Sequence, residues 1–129
     1  MRPSPLSIRK TMRGPSPRLP FEKMAKEILG DAYELSLVLC GDSLAQKMNK
    51  TYRKKSYKPN VLSFPLSKYE GEIFLNVQCA IREARKYGTI PQKRLALLFV
   101  HGCFHLKGLK HGTKMENAEQ IILKHFKLE

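Results

Sequence analysis

Long apolar runs, paired cysteines and acidic residues are all scarce in this sequence. The longest apolar run, residues 95–100, falls far short of the roughly 20 residues that a membrane-spanning helix needs. The sequence has an odd number of cysteines, and they lack a C-x-x-C spacing: Cys40, Cys79 and Cys103. No apolar signal-peptide segment follows the N-terminus. We therefore expect a soluble protein with reduced thiols rather than a membrane protein or a disulfide framework.

The scarcity of acidic residues leaves a strong positive charge. Lysine and arginine number 24 against 11 aspartates and glutamates, which gives a formal net charge of +13. Residues 43–69 contain seven lysines or arginines and no acid. A field of this sign concentrates polyanions such as RNA, DNA or anionic lipid, although such charge also serves solubility alone.

The length of 129 residues and the hydrophobic share of 42% fit a single domain. Residues 1–20 hold five of the eight prolines and no acid, so they cannot propagate a helix and we expect an extended arm. Residues 21–129 then form the folded domain. An organelle transit peptide is the alternative interpretation of the arm, but such peptides rely on amphipathic helices, which prolines oppose. We accordingly expect a cytoplasmic protein.

Apolar periodicity and capping residues predict five helices and three strands. The predicted helices are 21–29, one capped by Asp42 or Ser43 that runs to about Arg53, one capped by Asn76 that runs to 87, 91–106 and 115–126; the predicted strands are 33–40, 61–64 and 72–75. This order predicts an α/β (α+β) fold in which a single small mixed β-sheet is covered by helices.

Three of the four histidines lie within eleven residues, in the segment HGCFHLKGLKH. His101 and His105 are four residues apart on a predicted helix, so their imidazoles project from one face and can bind the same ion. Gly108 can adopt a left-handed conformation that turns the chain and brings His111 round as a third ligand. The spacing predicts a metal site on a central helix and the loop after it, with one coordination position open.

The spacing H-x3-H-x2-G-x2-H is that of metzincin-type zinc peptidases, whose first histidine is followed by a glutamate that acts as general base. Here that position holds Gly102, so peptide cleavage lacks its proton acceptor. Ordinary polar histidines near a helix end are the alternative, but the adjoining segment 95–100 is apolar on all sides and indicates a buried helix. Three neutral imidazoles favour one Zn²⁺ per chain, with nickel or another late metal possible, and a zinc-bound water favours hydrolysis.

The sequence resembles the YbeY endoribonucleases, metal-dependent rRNA maturation factors with the signature H-G-x-x-H-L-x-G-x-x-H. The histidine segment 101–111 matches that signature, and a second block upstream is similar to the family patterns N-x-x-Y-R and V-L-S-F-P. The matching residues of the second block are Asn49, Tyr52, Arg53 and the segment 61–65. Residues 71–73 look like the family's G-D-I strand opening, and the resemblance covers about residues 21–126.

The resemblance implies an α/β fold, a zinc site formed by His101, His105 and His111, and single-strand-specific RNA cleavage. It further implies processing of the 16S rRNA precursor at its 3′ end, ribosome quality control and contact with the small ribosomal subunit. It also implies that Arg53 takes part in cleavage, and an arginine can indeed stabilise a phosphoryl transition state by bidentate contact.

Basic residues cluster at the end of the second predicted helix and just after it. We predict that this cluster binds RNA; its residues are Arg53, Lys54, Lys55 and Lys58. Two positions depart from the resemblance, since the family usually has aspartate where this chain has Asn60 and Lys110. Glu72, which replaces a usual aspartate, is then the remaining upstream carboxylate, and we predict that it orients a ligand or a water.

Two other functions remain open from the sequence. In a non-catalytic zinc-containing protein that binds RNA or the ribosome, the zinc would be structural, but structural zinc sites normally have four protein ligands. The other is a hydrolase for some small substrate, and the strongly basic surface argues mildly against it.

Overall fold

The computed structural model describes residues 6–129, which form one four-stranded sheet and five helices. In chain order the elements are β1 Leu6–Lys10, α1 Phe21–Leu29, β2 Glu34–Cys40, α2 Asp42–Arg53, β3 Val61–Ser67, β4 Glu70–Asn76, α3 Val77–Lys86, α4 Pro91–Lys107 and α5 Thr113–His125. Among these described residues, no helix combines the length and the apolar character needed to cross a membrane.

The sheet is mixed, as the sequence predicts. Its strands lie in the order β1-β2-β4-β3, with β1, β2 and β4 parallel to one another and β3 antiparallel to β4. Because β4 follows β3 across a short turn at residues 68–69, this pair forms a hairpin at one edge of the sheet. Within residues 6–129, β3 thus has a neighbouring strand on one side only.

The two faces of the sheet pack against different helices. One face carries alternate side chains of β2 and β4, among them Leu37 and Ile73, and packs against α1 and α4 in the larger core cluster. The other face carries Val38 and Phe74, which pack against α2 in a smaller cluster. This alternation follows from the two-residue period of a strand and assigns each strand residue to one face.

The helix α4 lies against the sheet and is buried on most of its surface. It begins with Pro91 at its first position and ends at Gly108, as the sequence predicts. Eight of its residues are buried, namely Leu95, Ala96, Leu98, Phe99, Val100, Gly102, Cys103 and Phe104. A helix held in this way can fix the direction of the side chains that it does expose.

The strand β1 was not expected from the sequence, which predicts only an extended arm over residues 1–20. Residues 6–10 instead pair in parallel with β2, from Leu6 beside Leu35 to Lys10 beside Leu39. Four of the five residues of β1 are exposed, so the strand has no alternating apolar pattern by which to recognise it. Part of the arm therefore belongs to the sheet, and residues 1–5 lie outside the described range.

The N-terminal cap of α3 is the one predicted from the sequence, whereas the cap of α2 is a different residue. The Asn76 side chain accepts a hydrogen bond from the backbone nitrogen of Cys79 at 3.1 Å, which confirms the predicted cap. At α2 the residue in the cap position is Gly41, and Asp42 lies in the first turn. The Asp42 carboxylate accepts hydrogen bonds from Asn76 and Arg82 instead of capping its own helix, so the prediction of Asp42 or Ser43 as a cap is wrong.

Candidate metal centre and cleft

Three histidines meet where α4 ends and the chain turns towards α5. His101 and His105 are one helical turn apart on α4. Gly108 adopts a left-handed conformation with φ of 99°, and the turn brings His111 back towards the helix. The ring centroids lie 4.5 to 4.8 Å apart, and one nitrogen of each ring falls within 4.8 Å of the others. The fold thus gathers the three residues that the sequence predicts as metal ligands.

This donor set fits a divalent late transition metal. Imidazole nitrogens suit zinc, copper and nickel, and the Nε2 atoms of His101 and His105 lie 3.0 Å apart. His101 and His105 are half-buried whereas His111 is exposed, so solvent reaches the group from one side. Three protein ligands with an open side match catalytic zinc sites, which keep a position for water or substrate.

A buried carboxylate fixes the orientation of His101. The Oε2 atom of Glu119 lies 2.6 Å from Nδ1 of His101, and Glu119 is only 5% exposed. Because a carboxylate only accepts hydrogen bonds, Nδ1 carries the proton and donates a hydrogen bond to Glu119. The lone pair of His101 is then on Nε2, the nitrogen that faces His105. A carboxylate partner of this kind holds a metal-binding imidazole in one tautomer and one orientation.

Glu119 was not identified from the sequence. It lies on α5 between Met115 and Ile122, at the spacing by which an amphipathic helix buries its apolar face. An acid at a core-facing helix position must be paired to be tolerated, and this was the available signal. The identity of its partner depends on how α5 packs against α4, which the sequence does not specify.

The environment of His105 favours the neutral imidazole. Burial lowers the pKa of His105 below its ordinary value, and the rings of His101 and His111 and the Arg53 guanidinium lower it further. A hydrogen bond with the backbone of Leu109 opposes these effects and raises the pKa. A neutral imidazole retains the lone pair that a metal ion needs.

The histidines line an open cleft of about 740 Å³. The walls come from the end of α2, the loop after it, the strand β3 and the helix α4. The lining residues are Tyr52, Arg53, Tyr57, Asn60, Val61, Ser63, Phe64, Pro65, Arg94, Leu97, Leu98, His101, His105, His111 and Glu119. The fold therefore brings Arg53, predicted to act in cleavage, into one cleft with the predicted metal ligands.

The loop between α2 and β3 carries the other predicted RNA-binding residues. Lys54 ends α2 in a left-handed conformation with φ of 58°, and Lys54, Lys55 and Lys58 are all exposed. These lysines lie between Arg53 and Asn60, two residues that line the cleft. The cleft is consequently bordered on this side by a cationic loop.

Amide side chains hold the backbone of this loop. Asn49, which is fully buried, donates to the carbonyl of Tyr57 at 3.0 Å, and Asn76 donates to the carbonyl of Pro59 at the same distance. Gln46 donates to the carbonyl of Ser56 at 2.7 Å. Three hydrogen bonds along one short segment fix its path, so the loop presents its charges without a large loss of conformational entropy on binding.

Glu72 lies on β4 beside Ser36 of β2, whose hydroxyl donates to its carboxylate at 3.4 Å. Strand alternation puts Glu72 on the face of Phe74, whereas Ile73 faces α4. Glu72 is thus on the face opposite the helix that carries the first two histidines. No contact among the described residues supports the role at a ligand or water predicted for Glu72.

Asn60, one of the two departures from the family pattern, has a specific partner. Its side-chain nitrogen lies 3.2 Å from both carboxylate oxygens of Glu83, and Glu83 also pairs with Arg94 at 3.0 Å. An aspartate at position 60 would put a second carboxylate against Glu83, so an amide is the residue that this neighbour favours. Lys110, the other departure, is exposed beside His111.

Comparison with known proteins identifies a family. Residues 18–127 match the family model described as endoribonuclease YbeY. The chain is 33% identical to endoribonuclease YbeY of Alkaliphilus metalliredigens over 107 residues, a match that covers 70% of this chain and 69% of the relative. It is also 33% identical to endoribonuclease YbeY of Bacillus licheniformis, with 87% of this chain and 84% of the relative covered.

A solved structure has the same fold. The solution structure of protein TM1509 from Thermotoga maritima superimposes with a TM-score of 0.72 and 20% sequence identity, covering 94% of this chain and 88% of that protein. At this identity the likeness concerns the fold alone. The family assignment rests on the sequence matches, and the family model spans β2, β3 and β4, the cationic loop and all three histidines: the chain belongs to the endoribonuclease YbeY family.

Proposed function

We propose that this protein is a zinc-dependent endoribonuclease that cleaves single-stranded RNA. The observation that carries the proposal is that His101, His105 and His111 share one cleft with Arg53, beside a loop that carries only positive charge. Membership of the endoribonuclease YbeY family supports the same reaction.

The three histidines would hold the ion through neutral imidazole nitrogens. A zinc ion so bound supplies Lewis acidity and lowers the pKa of a water molecule towards neutrality. Glu119 keeps the proton of His101 on Nδ1 and so keeps Nε2 available as a donor atom. The two half-buried histidines are fixed by α4, which needs no rearrangement to present them.

Arg53 is suited to bind the phosphate at which the chain is cut. A guanidinium can contact two phosphate oxygens at once, and it stabilises the additional negative charge that develops on them in the transition state. The cationic loop of Lys54, Lys55 and Lys58 would hold neighbouring phosphates of the strand. These contacts position the backbone without reading its sequence.

The cleft offers charge stabilisation rather than a free carboxylate base. Glu119 is the one acid among the described residues that line it, and its carboxylate is engaged by His101. The position that holds the general base of metzincin peptidases is Gly102, which packs against β3. This composition supports phosphodiester cleavage over peptide cleavage.

The precursor of 16S rRNA is the proposed physiological substrate, with the small ribosomal subunit as partner and the cytoplasm as compartment. The net charge of +13 supports a highly anionic partner of this kind. The sequence resemblance to rRNA maturation factors supports the choice of rRNA among RNAs.

The proposal is tested by measuring metal content and RNA cleavage in the same preparations. We expect the parent protein, purified without a histidine tag, to hold about one zinc per chain and to cut single-stranded RNA faster than duplex RNA. His105→Ala should lose the zinc and the cleavage together. Arg53→Ala should keep the zinc and lose about 100-fold or more in cleavage rate, since it removes charge stabilisation only.

The matched control is Arg85→Ala, which removes an exposed arginine of α3 that does not line the cleft. It should cleave as the parent does. A parent protein that binds RNA and zinc without cleaving any RNA would instead favour a non-catalytic RNA-binding function. A His105→Ala protein with a full equivalent of zinc would refute the three-histidine site.

A further inference from the structure

An exposed aromatic side chain lies at the mouth of the cleft. Tyr52, on the last turn of α2, is 65% exposed although it lines the cleft. Its ring contacts Phe64 of β3 edge-on, with centroids 5.6 Å apart, and Phe64 contacts Phe74 in the same manner at 5.8 Å. Phe74 belongs to the core. The Tyr52 ring is thus the outer end of a row of aromatic rings anchored inside the protein.

A second exposed tyrosine lines the same cleft. Tyr57 is 53% exposed, and it belongs to the cationic loop whose backbone is fixed at this residue by the hydrogen bond from Asn49. Arg53 lies between the two tyrosines in the chain and lines the cleft with them. Two accessible aromatic rings and a guanidinium therefore border one space.

We propose that Tyr52 and Tyr57 form a nucleobase-binding subsite, in which an unpaired base of the RNA stacks on the tyrosine rings while Arg53 binds the adjoining phosphate. The inference rests on the proposed function, and it deepens that function by naming what the cleft recognises besides phosphate. Aromatic platforms beside a cationic track are the usual means of binding single-stranded nucleic acid without sequence preference.

The charge and size of the cleft both favour a base as the occupant. The segment 43–69 supplies Tyr52 and Tyr57 and contains no acid, so a polyanion is attracted to the space where the rings are exposed. A volume of about 740 Å³ lies within the range of roughly 300 to 1,000 Å³ found for small-ligand sites. The cleft is large enough for a base that has left its neighbours in the strand.

The subsite would also account for selection of single strands. A base in a duplex is already paired and stacked, and moving it onto a tyrosine costs the energy of flipping it out. An unpaired base does not incur most of this cost. Preference for single-stranded RNA would then be a property of Tyr52 and Tyr57 rather than of the metal ion.

The test uses the zinc-loaded protein and a set of short 2′-O-methylated oligoribonucleotides that carry the fluorescent base 2-aminopurine at each position in turn. Gel electrophoresis checks that they stay intact. We expect the parent protein to quench the 2-aminopurine at one or two positions, as stacking does. Tyr52→Ala should remove most of that quenching and weaken binding roughly ten-fold. Tyr52→Phe should retain both, because it keeps the ring.

The matched control is Tyr69→Ala. Tyr69 is 54% exposed, close to the value of Tyr57, but it lies at the turn between β3 and β4 and does not line the cleft. It should quench and bind as the parent does. Circular dichroism and thermal unfolding of Tyr52→Leu, which keeps an apolar contact for Phe64, separate loss of stacking from loss of fold.

An oligonucleotide with an abasic nucleotide at the quenched position completes the test. The parent should bind it less tightly than the intact strand, whereas Tyr52→Ala should bind both strands alike. Unchanged quenching and affinity in both Tyr52→Ala and Tyr57→Ala would overturn the subsite, even if the parent cleaves RNA. Quenching that depends on Tyr52 in a protein that cleaves no RNA would support the subsite and reject the proposed endoribonuclease function.

Discussion

The carboxylate of Glu119 decides which nitrogen of His101 is free to bind an ion. It accepts a hydrogen bond from Nδ1, with 2.6 Å between Oε2 and Nδ1, and it is almost fully buried, an environment in which such a hydrogen bond is strong. Among the described residues, His105 has no comparable carboxylate partner, and its pKa is lowered by burial first and then by the neighbouring His101, His111 and Arg53. A carboxylate partner thus sets the tautomer of His101, whereas burial and neighbouring groups favour the neutral form of His105.

Glu119→Gln should weaken zinc binding about 10- to 100-fold, because an amide holds the imidazole less firmly than a carboxylate does. The measurement is competition with a chromophoric chelator at constant pH. Glu116→Gln is the matched control, since Glu116 is an exposed acid in the first turn of the same helix. Equal zinc affinity in Glu119→Gln and the parent would show that Glu119 does not orient the ligand.

Among single residues, the sequence reveals those whose function depends on local spacing. The three histidines follow from the helical repeat and from the turn at Gly108. The pairing of His101 with Glu119 joins two helices across 18 residues, so local spacing cannot reveal it. The position of Glu72 depends on which face of the sheet α4 covers, and its sequence neighbours Gly71 and Ile73 are the residues that face that helix.

The helix α4 lies close to the sheet at Gly102. A Cβ atom at this position would lie 3.0 Å from Oγ of Ser63, 3.2 Å from Cδ1 of Ile73 and 3.3 Å from Cγ2 of Val61. The Ser63 hydroxyl also donates to the backbone carbonyl of Gly102 at 3.0 Å. The absence of a side chain lets the helix lie directly on β3 and β4, which sets the distance of the histidines from the cleft wall.

Gly102→Ala should destabilise the protein by about 1 kcal/mol, as the added methyl group is overpacked against three neighbours. The higher helix propensity of alanine, worth up to about 1 kcal/mol, offsets part of this cost. Urea unfolding measures the net change. The double variant Gly102→Ala, Ser63→Ala should lose less stability than the sum of the losses in the two single variants. The reason is that Ser63→Ala removes the atom closest to the added methyl group. An increase in stability for Gly102→Ala would mean that α4 can move away from the sheet at no cost.

Among the elements, the helices and the buried strands could be predicted from the sequence, whereas the edge strand β1 could not. The helix α4 follows from its apolar length with Pro91 before it and Gly108 after it. Both β3 and β4 extend beyond the predicted 61–64 and 72–75. The extensions contain Pro65 in β3 and Glu70, Gly71 and Asn76 in β4, and these residue types are depleted in strands. The strand β1 consists mostly of exposed residues and is held by backbone hydrogen bonding to β2, which any sequence without proline at those positions can make.

Considered as a whole, the molecule builds its cleft from two distant parts of the chain. The cationic wall comes from α2, the loop after it and β3, whereas the metal ligands come from α4 and the turn after it. The sheet joins these parts, because β3 lies beside β4 and under α4. Strand order of this kind depends on which long connections cross over the sheet, and this order was not readable from the sequence.

Affinity for single-stranded RNA should fall steeply with salt concentration, because phosphate contacts release counterions. A Lys55→Ala, Lys58→Ala double variant should reduce the slope of log affinity against log salt by about 0.7 for each contact removed. Lys124→Ala, which removes an exposed lysine of α5 outside the cleft, should leave the slope unchanged. Fluorescence anisotropy over a series of salt concentrations gives the slopes. Equal slopes for the double variant and the parent would show that these lysines of the loop do not contact the RNA phosphates.

The position of α4 in the chain has a consequence during protein synthesis. The four described strands have been made once residue 76 emerges, yet the face of the sheet that packs against α1 and α4 is only partly covered until α4 has followed as far as residue 107. His111 and Glu119 come later still. A nascent chain, which folds from its N-terminal side, therefore contains the cationic loop before it contains all the residues of the proposed metal site. The order of synthesis would therefore delay RNA cleavage until α4, the turn with His111 and α5 have been made and have folded.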